Sequence, residues 1–123
     1  MTPQRPYLLR AIYEWIVDNE ETPYILVNPF SEGVSVPSSA IIDDKVVLNI
    51  SPMAVKALDL GLEAVVFSCR FSGVEHSVYL PIRSILSIYS RDSGRGFEFD
   101  DSEYPVDEGE SKEERAKPKL ELV

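Results

Sequence analysis

Few residues in this chain of 123 are suited to covalent or acid–base chemistry. The sequence has one histidine, His76, and one cysteine, Cys69. A cysteine or serine nucleophile usually needs a histidine to accept its proton, so such a site would have to include His76. His76 follows a turn and lies in a predicted strand, and nothing around it supports that role. A hydrolase that uses Cys69 or His76 is therefore the weakest of the alternatives.

The sequence also lacks motifs for metal or phosphate binding. Metal-binding cysteines and histidines occur in short regular spacings, which a chain with one of each cannot form. The segment Gly94-Arg95-Gly96 is too short for a phosphate-binding loop and has no strand–helix context. We predict no enzyme activity, no metal and no cofactor.

Alternating apolar and polar residues indicate a binding surface instead. Val66 and Tyr89, together with Arg70 or Arg91, would line an apolar groove with cationic ends. Such a groove suits an extended peptide, because apolar pockets hold side chains and guanidinium groups bind carboxylates. The alternative is that Arg70 and Arg91 are solvated charges at strand ends. Within residues 63–71, alternation places Val65, Phe67, Cys69 and Phe71 on one face and Val66, Ser68 and Arg70 on the other.

An N-terminal helix is predicted for residues 5–19. Pro6 suits the first helical turn, where its missing N–H would be unpaired anyway. The apolar residues form a stripe wider than a helix on one core requires, so one row can meet a second subunit. The alternative is a helix buried deeply in a single core. The two rows at helical spacing are Leu8, Ile12, Trp15 and Ile16, and Leu9, Tyr13 and Val17.

Residues 23–99 have the pattern of short β-strands. Val, Ile, Tyr and Phe are frequent, and turn residues separate the apolar runs. Residues 53–58 are predicted to form a single helical turn. Close spacing of short strands favours a small antiparallel β-sandwich or barrel, so the fold class is mainly β with an N-terminal α-helix. Strands are predicted at 24–28, 34–36, 46–50, 63–71, 75–81 and 84–90.

Acidic residues are concentrated near the end of the sequence. The net charge is −9 overall but only −3 over residues 1–97, whereas residues 98–114 carry −8 and residues 115–123 carry +2. A nearly balanced folded part lacks the basic excess of nucleic-acid-binding surfaces, which argues against a nucleic-acid partner. Residues 100–116 have too few apolar groups to offset the entropy of ordering them, so we predict a disordered, flexible acidic linker.

The final residues, 117–123, end in three apolar side chains. We predict a short docking peptide, with a frayed terminus as the alternative. The single cysteine cannot form an internal disulfide, which favours a reducing compartment. The sequence has no apolar run of 18 residues and no secretion signal at its start. We therefore predict a cytoplasmic protein with no membrane partner.

Four segments resemble the stringent starvation protein B (SspB) family. Together they span roughly residues 3–99, and the opening segment is highly specific. The segments are RPYLLRAIYEWIVDNEETPYILV, VVLNIS, VVFSCRFSG and ILSIYSRDSGRGFEF. Members of this family are adaptors of the ClpXP protease in proteobacteria. The resemblance implies a domain over residues 1–99 that is similar to an Sm-like half-barrel and dimerises through its helix. An Sm-like nucleic-acid-binding module is the second alternative.

The resemblance also implies three interaction sites. A groove would hold the ssrA tag, the peptide appended to proteins from stalled ribosomes. It would involve Val66, Phe67, Ser68, Cys69, Arg70 and Phe71, with Val47, Asn49, Tyr89, Ser90 and Arg91 as neighbours. The dimer interface would include Leu8, Ala11, Ile12 and Trp15. The family's last residues dock on the N-terminal zinc domain of ClpX, which here implies Lys117, Pro118, Lys119, Leu120, Glu121, Leu122 and Val123.

Two departures from the family pattern affect these expectations. The family's usual NARF is SCRF here, so the polar contacts beside Arg70 are expected to differ and the tag preference to shift. The C-terminal tail is also short for the family, which places its tolerance of bulky substrates in question.

Overall fold

The computed structural model describes residues 2–100 of the chain. Within them, one α-helix precedes seven β-strands, which confirms the predicted mainly β class with an N-terminal helix. The predicted linker beyond residue 100 and the predicted docking peptide lie outside the described residues. The elements are α1 Arg5–Asp18, β1 Pro23–Val27, β2 Val46–Asn49, β3 Lys56–Leu60, β4 Ala64–Phe71, β5 Val74–Pro81, β6 Ile85–Ser90 and β7 Gly96–Glu98, with 3-10 turns at Ser38–Ala40 and Ile82–Ser84.

The strands form two antiparallel sheets, as the predicted sandwich requires. The first has the order β2-β1-β6-β7 and the second the order β3-β4-β5. In the first sheet, Tyr24 pairs with Asn49 on one side and with Tyr89 on the other. In the second, β4 and β5 pair over their whole lengths through a hairpin. The chain therefore places β2 and β7 at the edges of one sheet, and β3 and β5 at the edges of the other.

The core lies between the inner faces of the sheets. In β1, burial alternates, with Pro23, Ile25 and Val27 buried and Tyr24 and Leu26 less so. Burying one such aliphatic side chain contributes about 1.5–3 kcal/mol. The second sheet supplies its inward side chains from β4 and β5 to the same cluster. The fully buried members include Ile25, Leu48 and Ile88 from the first sheet, Val65, Phe67, Val78 and Leu80 from the second, and Leu9 and Ile16 from α1.

Two arginines fix α1 to the strands. Arg5 is buried, and its Nη1 donates to the carbonyl oxygen of Ile85 at 3.1 Å. Its guanidinium also donates to the carbonyl of Asp100 and lies 5.2 Å from the centre of the Phe99 ring. Such contacts offset the cost of burying a charged group. Arg10 Nε donates to the carbonyl oxygen of Leu60 at 2.8 Å, which ties α1 to the edge strand β3.

Two local predictions are wrong, and one strand was not predicted. The expected strand at 34–36 is reduced to a single bridge between Ser35 and Tyr79. The expected helical turn at 53–58 is shortened to a hydrogen-bonded turn at 52–54, where Ala54 N and Val55 N donate to Ser51 O. Residues 56–58 begin β3 instead, in which Ala57 has a φ of +56° beside a register shift. The short strand β7 was not predicted, because three residues after a turn carry too little periodicity to identify a strand.

Candidate functional site

A cavity of about 270 Å³ lies where β2 meets the far end of β4. Its walls come from three strands and from the turn before β3. The lining residues are mostly apolar, and they include one cation and no carboxylate: Tyr24, Val47, Leu48, Asn49, Ala54, Phe67, Cys69, Arg70 and Phe71. We call this the β2–β4 cavity.

The course of β4 creates the β2–β4 cavity. The first half of the strand is in the core, where Val65 and Phe67 are buried. The second half extends past the core, so Cys69 and Phe71 are only half-buried and Arg70 is exposed. A tight hairpin turn then reverses the chain through Ser72 and Gly73, with φ values of +54° and +80°. The same face of β4 therefore packs in the core along the first half of the strand and lines the cavity along the second half.

The charges of the β2–β4 cavity favour a ligand with a carboxylate. The guanidinium of Arg70 donates through Nη1 to the carbonyl oxygen of Gly73 at 3.2 Å and remains exposed. The rest of its donors can bind an acidic group, for which guanidinium geometry is well suited. Apolar walls beside this cation fit an extended peptide with an acidic residue.

Six of the eleven groove residues predicted from the sequence line the cavity. They are Val47, Asn49, Phe67, Cys69, Arg70 and Phe71. Val66 and Ser68 lie on the opposite face of β4, where they pair with Tyr79 and Ser77. That position follows from strand alternation. Arg70 has the same parity as Val66 and Ser68, but it lies at the hairpin end of β4, where it lines the cavity and its Nη1 donates to Gly73 O.

The three predicted residues at the end of β6 lie beside the cavity or away from it. Tyr89 packs edge-on against Tyr24, with ring centres 6.0 Å apart, and burial raises the pKa of its hydroxyl. The Ser90 hydroxyl oxygen accepts hydrogen bonds from the backbone N–H groups of Asp92 and Ser93, so it stabilises the turn. Arg91 is exposed in that turn and does not line the cavity.

Sequence reasoning missed Tyr24, Leu48 and Ala54 as lining residues. The available signal for Tyr24 was its place in β1, but its role depends on pairing with both β2 and β6. Pairing between strands that are distant in sequence cannot be deduced from alternation in each strand.

The structure gives a direct argument against the hydrolase alternative. Cys69 and His76 are cross-strand partners, yet the His76 ring packs edge-on against Phe71, with ring centres 5.9 Å apart. Burial raises the pKa of the Cys69 thiol. A catalytic cysteine instead has a lowered pKa, which supplies thiolate at neutral pH. The thiol of Cys69 therefore behaves as part of an apolar wall.

A second cavity of about 350 Å³ lies between β6 and β7. We call it the β6–β7 cavity. It is larger than the β2–β4 cavity, but its only charged lining residue is the acidic Glu98. The two cavities therefore differ in the charge of their linings, and a ligand with a carboxylate fits the β2–β4 cavity better. The lining residues are Ser87, Ile88, Tyr89, Gly94, Gly96, Phe97 and Glu98.

One side of α1 presents apolar residues to solvent. Trp15 is 44% exposed, Ala11 is exposed, and Leu8 and Ile12 are half-buried. Their spacing of three and four residues places them along one side of the helix. The predicted dimer residues thus form a continuous apolar strip beside the buried row of Leu9 and Ile16.

Residues 2–100 contain no helix long and apolar enough to cross a membrane. Within the same range, no group of three or more His, Cys, Asp or Glu side chains is placed to hold a metal ion.

Comparisons with known proteins agree on one family. The sequence profile of the stringent starvation protein B family matches residues 3–121. A stringent starvation protein B homolog from Haemophilus influenzae is 43% identical over 102 residues. The matched region is 83% of this chain and 68% of that protein. Both matches agree with the resemblance found in the sequence motifs.

Proposed function

Because the chain belongs to the stringent starvation protein B family, a family of protease adaptors, we propose that it delivers ssrA-tagged proteins to ClpX. The β2–β4 cavity takes the tag, and residues 117–123 bind the N-terminal zinc domain of ClpX. Residues 100–116 link the two. The unfoldase ClpX, and not this chain, consumes ATP.

The observation that carries this proposal is the chemistry of the β2–β4 cavity. Phe67 and Phe71 line the cavity together with Arg70, whose exposed guanidinium bonds to the hairpin at Gly73, and no carboxylate is among the lining residues. An extended peptide that combines an aromatic residue with acidic ones matches that lining. The ssrA tag has this composition in the region that the family binds.

Tethering explains how such an adaptor works without catalysis. Once the tag is bound, the second contact becomes intramolecular, with an effective concentration on the order of millimolar for a short flexible linker. Two weak contacts then give one productive complex. We expect deletion of Leu120–Val123 to abolish delivery and to leave tag affinity unchanged. Loss of tag affinity in that truncation would contradict the division of labour between domain and tail.

The apolar strip on α1 supports a homodimer in this proposal. A dimer would bury Trp15 and Ala11 against a second copy and would provide two tails for ClpX. Light scattering of Trp15→Asp tests this, since a charge in a buried interface is costly. Glu14→Ala, at an exposed neighbouring position, is the matched control. A Trp15→Asp protein that remains folded and dimeric would refute this interface.

The test of tag binding is fluorescence anisotropy of a labelled ssrA peptide titrated with the protein. We expect saturable binding at micromolar concentration or tighter, weakened about tenfold or more by Arg70→Ala, because hydrogen bonds to charged groups contribute about 1.5–3 kcal/mol. Arg91→Ala removes an exposed arginine that does not line the cavity, so we expect less than a twofold change. No binding by folded wild-type protein would refute the proposed function.

A further inference from the structure

We propose that Arg5 is a clamp that holds the root of the C-terminal tail, defined as Phe99 and Asp100, on the core of the domain. The clamp protects the edge strand β7 when ClpX holds the tail. This inference rests on the proposed function, because only a tail that binds a partner carries a pull. Arg5 is a positioning residue in this proposal, and it contacts neither the tag nor ClpX.

The Arg5 guanidinium joins three segments that are distant in sequence. Arg5 is only 1% exposed. Its Nη1 donates to the carbonyl oxygen of Ile85 at 3.1 Å and to that of Arg83 at 3.4 Å. Its Nη2 donates to the carbonyl oxygen of Asp100. The first turn of α1, the start of β6 and the root of the tail therefore meet at one buried cation.

Phe99 is the second point at which the root is held. Its backbone N–H donates to the carbonyl oxygen of Leu86 at 3.0 Å, which extends the pairing of β7 with β6 by one residue. Its half-buried ring packs against the core, and the Arg5 guanidinium lies 5.2 Å from the ring centre. A cation is attracted to an aromatic ring, and more strongly where both are shielded from water. Backbone and side chain therefore hold the root together.

The strand β7 has little support of its own. All three of its residues, Gly96–Glu98, are exposed, and the strand lies at the edge of its sheet. No strand within residues 2–100 pairs with its outer side. A short exposed strand opens easily, because few buried contacts oppose the opening. Without the clamp the domain would end at the turn before β7, whereas the contacts of Arg5 extend it to Asp100.

The root lies at the corner of the first sheet that is farthest from the β2–β4 cavity. Three strand spacings separate β2 from β7, which is about 14 Å. Pairing through β1 and β6 puts Asn49 level with Gly96. Phe99 lies farther along β7, by about 10 Å for three residues. A pull between the bound tag and the tail therefore crosses the sheet, and it acts on Asp100 before it acts on β7.

Amide hydrogen exchange of the full chain tests the clamp without any substitution. The amides of Phe97 and Phe99 have the same parity, so both face β6. Fraying of a free strand end makes the last amide exchange fastest. We expect the clamp to reverse this order, so that Phe99 exchanges no faster than Phe97. Faster exchange at Phe99 would overturn the clamp.

Arg5→Lys tests which side chain holds the root. Lysine keeps the charge but lacks the planar fork of the guanidinium. We expect exchange at Phe97 and Phe99 to become about tenfold faster or more, because hydrogen bonds from charged groups are among the stronger ones. Arg10→Lys is the matched control, since Arg10 lies on the same helix but bonds to Leu60 of β3. Equal acceleration in the two variants, or acceleration throughout β4 as well, would reduce Arg5 to a general stabiliser and overturn the clamp.

Survival of the adaptor during delivery tests the protective role. With ClpXP, ATP and an ssrA-tagged substrate, we expect Arg5→Lys adaptor to be degraded about threefold faster or more than Arg10→Lys, because proteolysis follows the population of the opened form. Equal survival would overturn the protection. Both variants should keep wild-type tag affinity, since neither arginine lines the β2–β4 cavity. No tag binding by folded wild-type protein would refute the proposed function, and the exchange results would still decide the clamp.

Discussion

The two cavities of the described domain differ in chemistry more than in size. The β2–β4 cavity combines aromatic walls with Arg70, whereas the β6–β7 cavity has Glu98 as its charged group. The first forms where a core strand continues past the core, so rigid buried residues position exposed ones. The second forms where β7 crosses close to β6 at Gly96. For the acidic peptide proposed above, the β2–β4 cavity supplies both a wall supported by the core and a cation.

The largest expected effect is the loss of stability on replacing Phe67, which tests whether the wall of the β2–β4 cavity is built on the core. Phe67 is 2% exposed and belongs to both the core and the cavity wall. Phe67→Ala should lower the free energy of unfolding by about 3–5 kcal/mol, as large-to-small core substitutions do. Urea denaturation followed by tryptophan fluorescence measures this. A loss below about 1 kcal/mol would show that the cavity is not built on the core.

A smaller effect is expected at the β6–β7 cavity. A methyl group on residue 96 would overlap the backbone of Ile88 and Tyr89. Gly96→Ala should therefore cost about 1–3 kcal/mol of stability, the usual range for overpacking, and leave tag affinity unchanged. Gly94→Ala is the control, because residue 94 has open space and only its φ of +79° opposes a side chain. Weaker tag binding by folded Gly96→Ala would place the tag in the β6–β7 cavity and contradict the proposed site.

Phe71→Ala separates binding from stability within β4. Phe71 is half-buried in the cavity wall, beyond the core half of the strand. We expect tag affinity to fall about tenfold and stability to change by about 1 kcal/mol, since little of the ring is in the core. Val74→Ala alters its exposed cross-strand partner and should leave affinity unchanged. Equal affinity losses in the two variants would remove Phe71 from the site.

The smallest effect concerns the proton of Cys69. Because burial raises the pKa of this thiol, the folded protein holds the proton more tightly than the unfolded chain. The associated stability is present below the ordinary thiol pKa and is lost as pH rises through the folded pKa. Iodoacetamide should therefore alkylate Cys69 with a pH midpoint above that of an unfolded control. A midpoint below the control would revive the nucleophile alternative.

The fold class was readable from the sequence, but some strands were not. The apolar rows and Pro6 predicted α1 to within one residue of its end, because helical periodicity is local. Residues 53–58 favour a helix by composition, but the structure has a turn at 52–54 followed by β3, because residues from Lys56 onward pair with β4. Likewise β7 is held by β6 and by the close approach at Gly96, which a short sequence window does not contain.

For the candidate site too, some lining residues were predictable from the sequence and others were not. The family resemblance supplied the residues of β4 that line the cavity, whereas the reasoning from the strand pattern had given only Arg70 among them. Tyr24 and Leu48 were missed because their role depends on which strands become neighbours. Val66 was included although alternation places it on the other face of β4. The sequence therefore indicated the chemistry of the cavity wall, but the full set of lining residues became clear only from the observed order of the strands.

The most direct test of the central claim is to locate the bound tag by NMR. Chemical-shift mapping of labelled protein during titration with ssrA peptide reports the residues that change environment. The account predicts the largest changes at Val47, Asn49 and the segment 69–71, with small changes at Gly94 and Glu98. Large changes confined to the β6–β7 cavity, with the β2–β4 cavity unaffected, would contradict it.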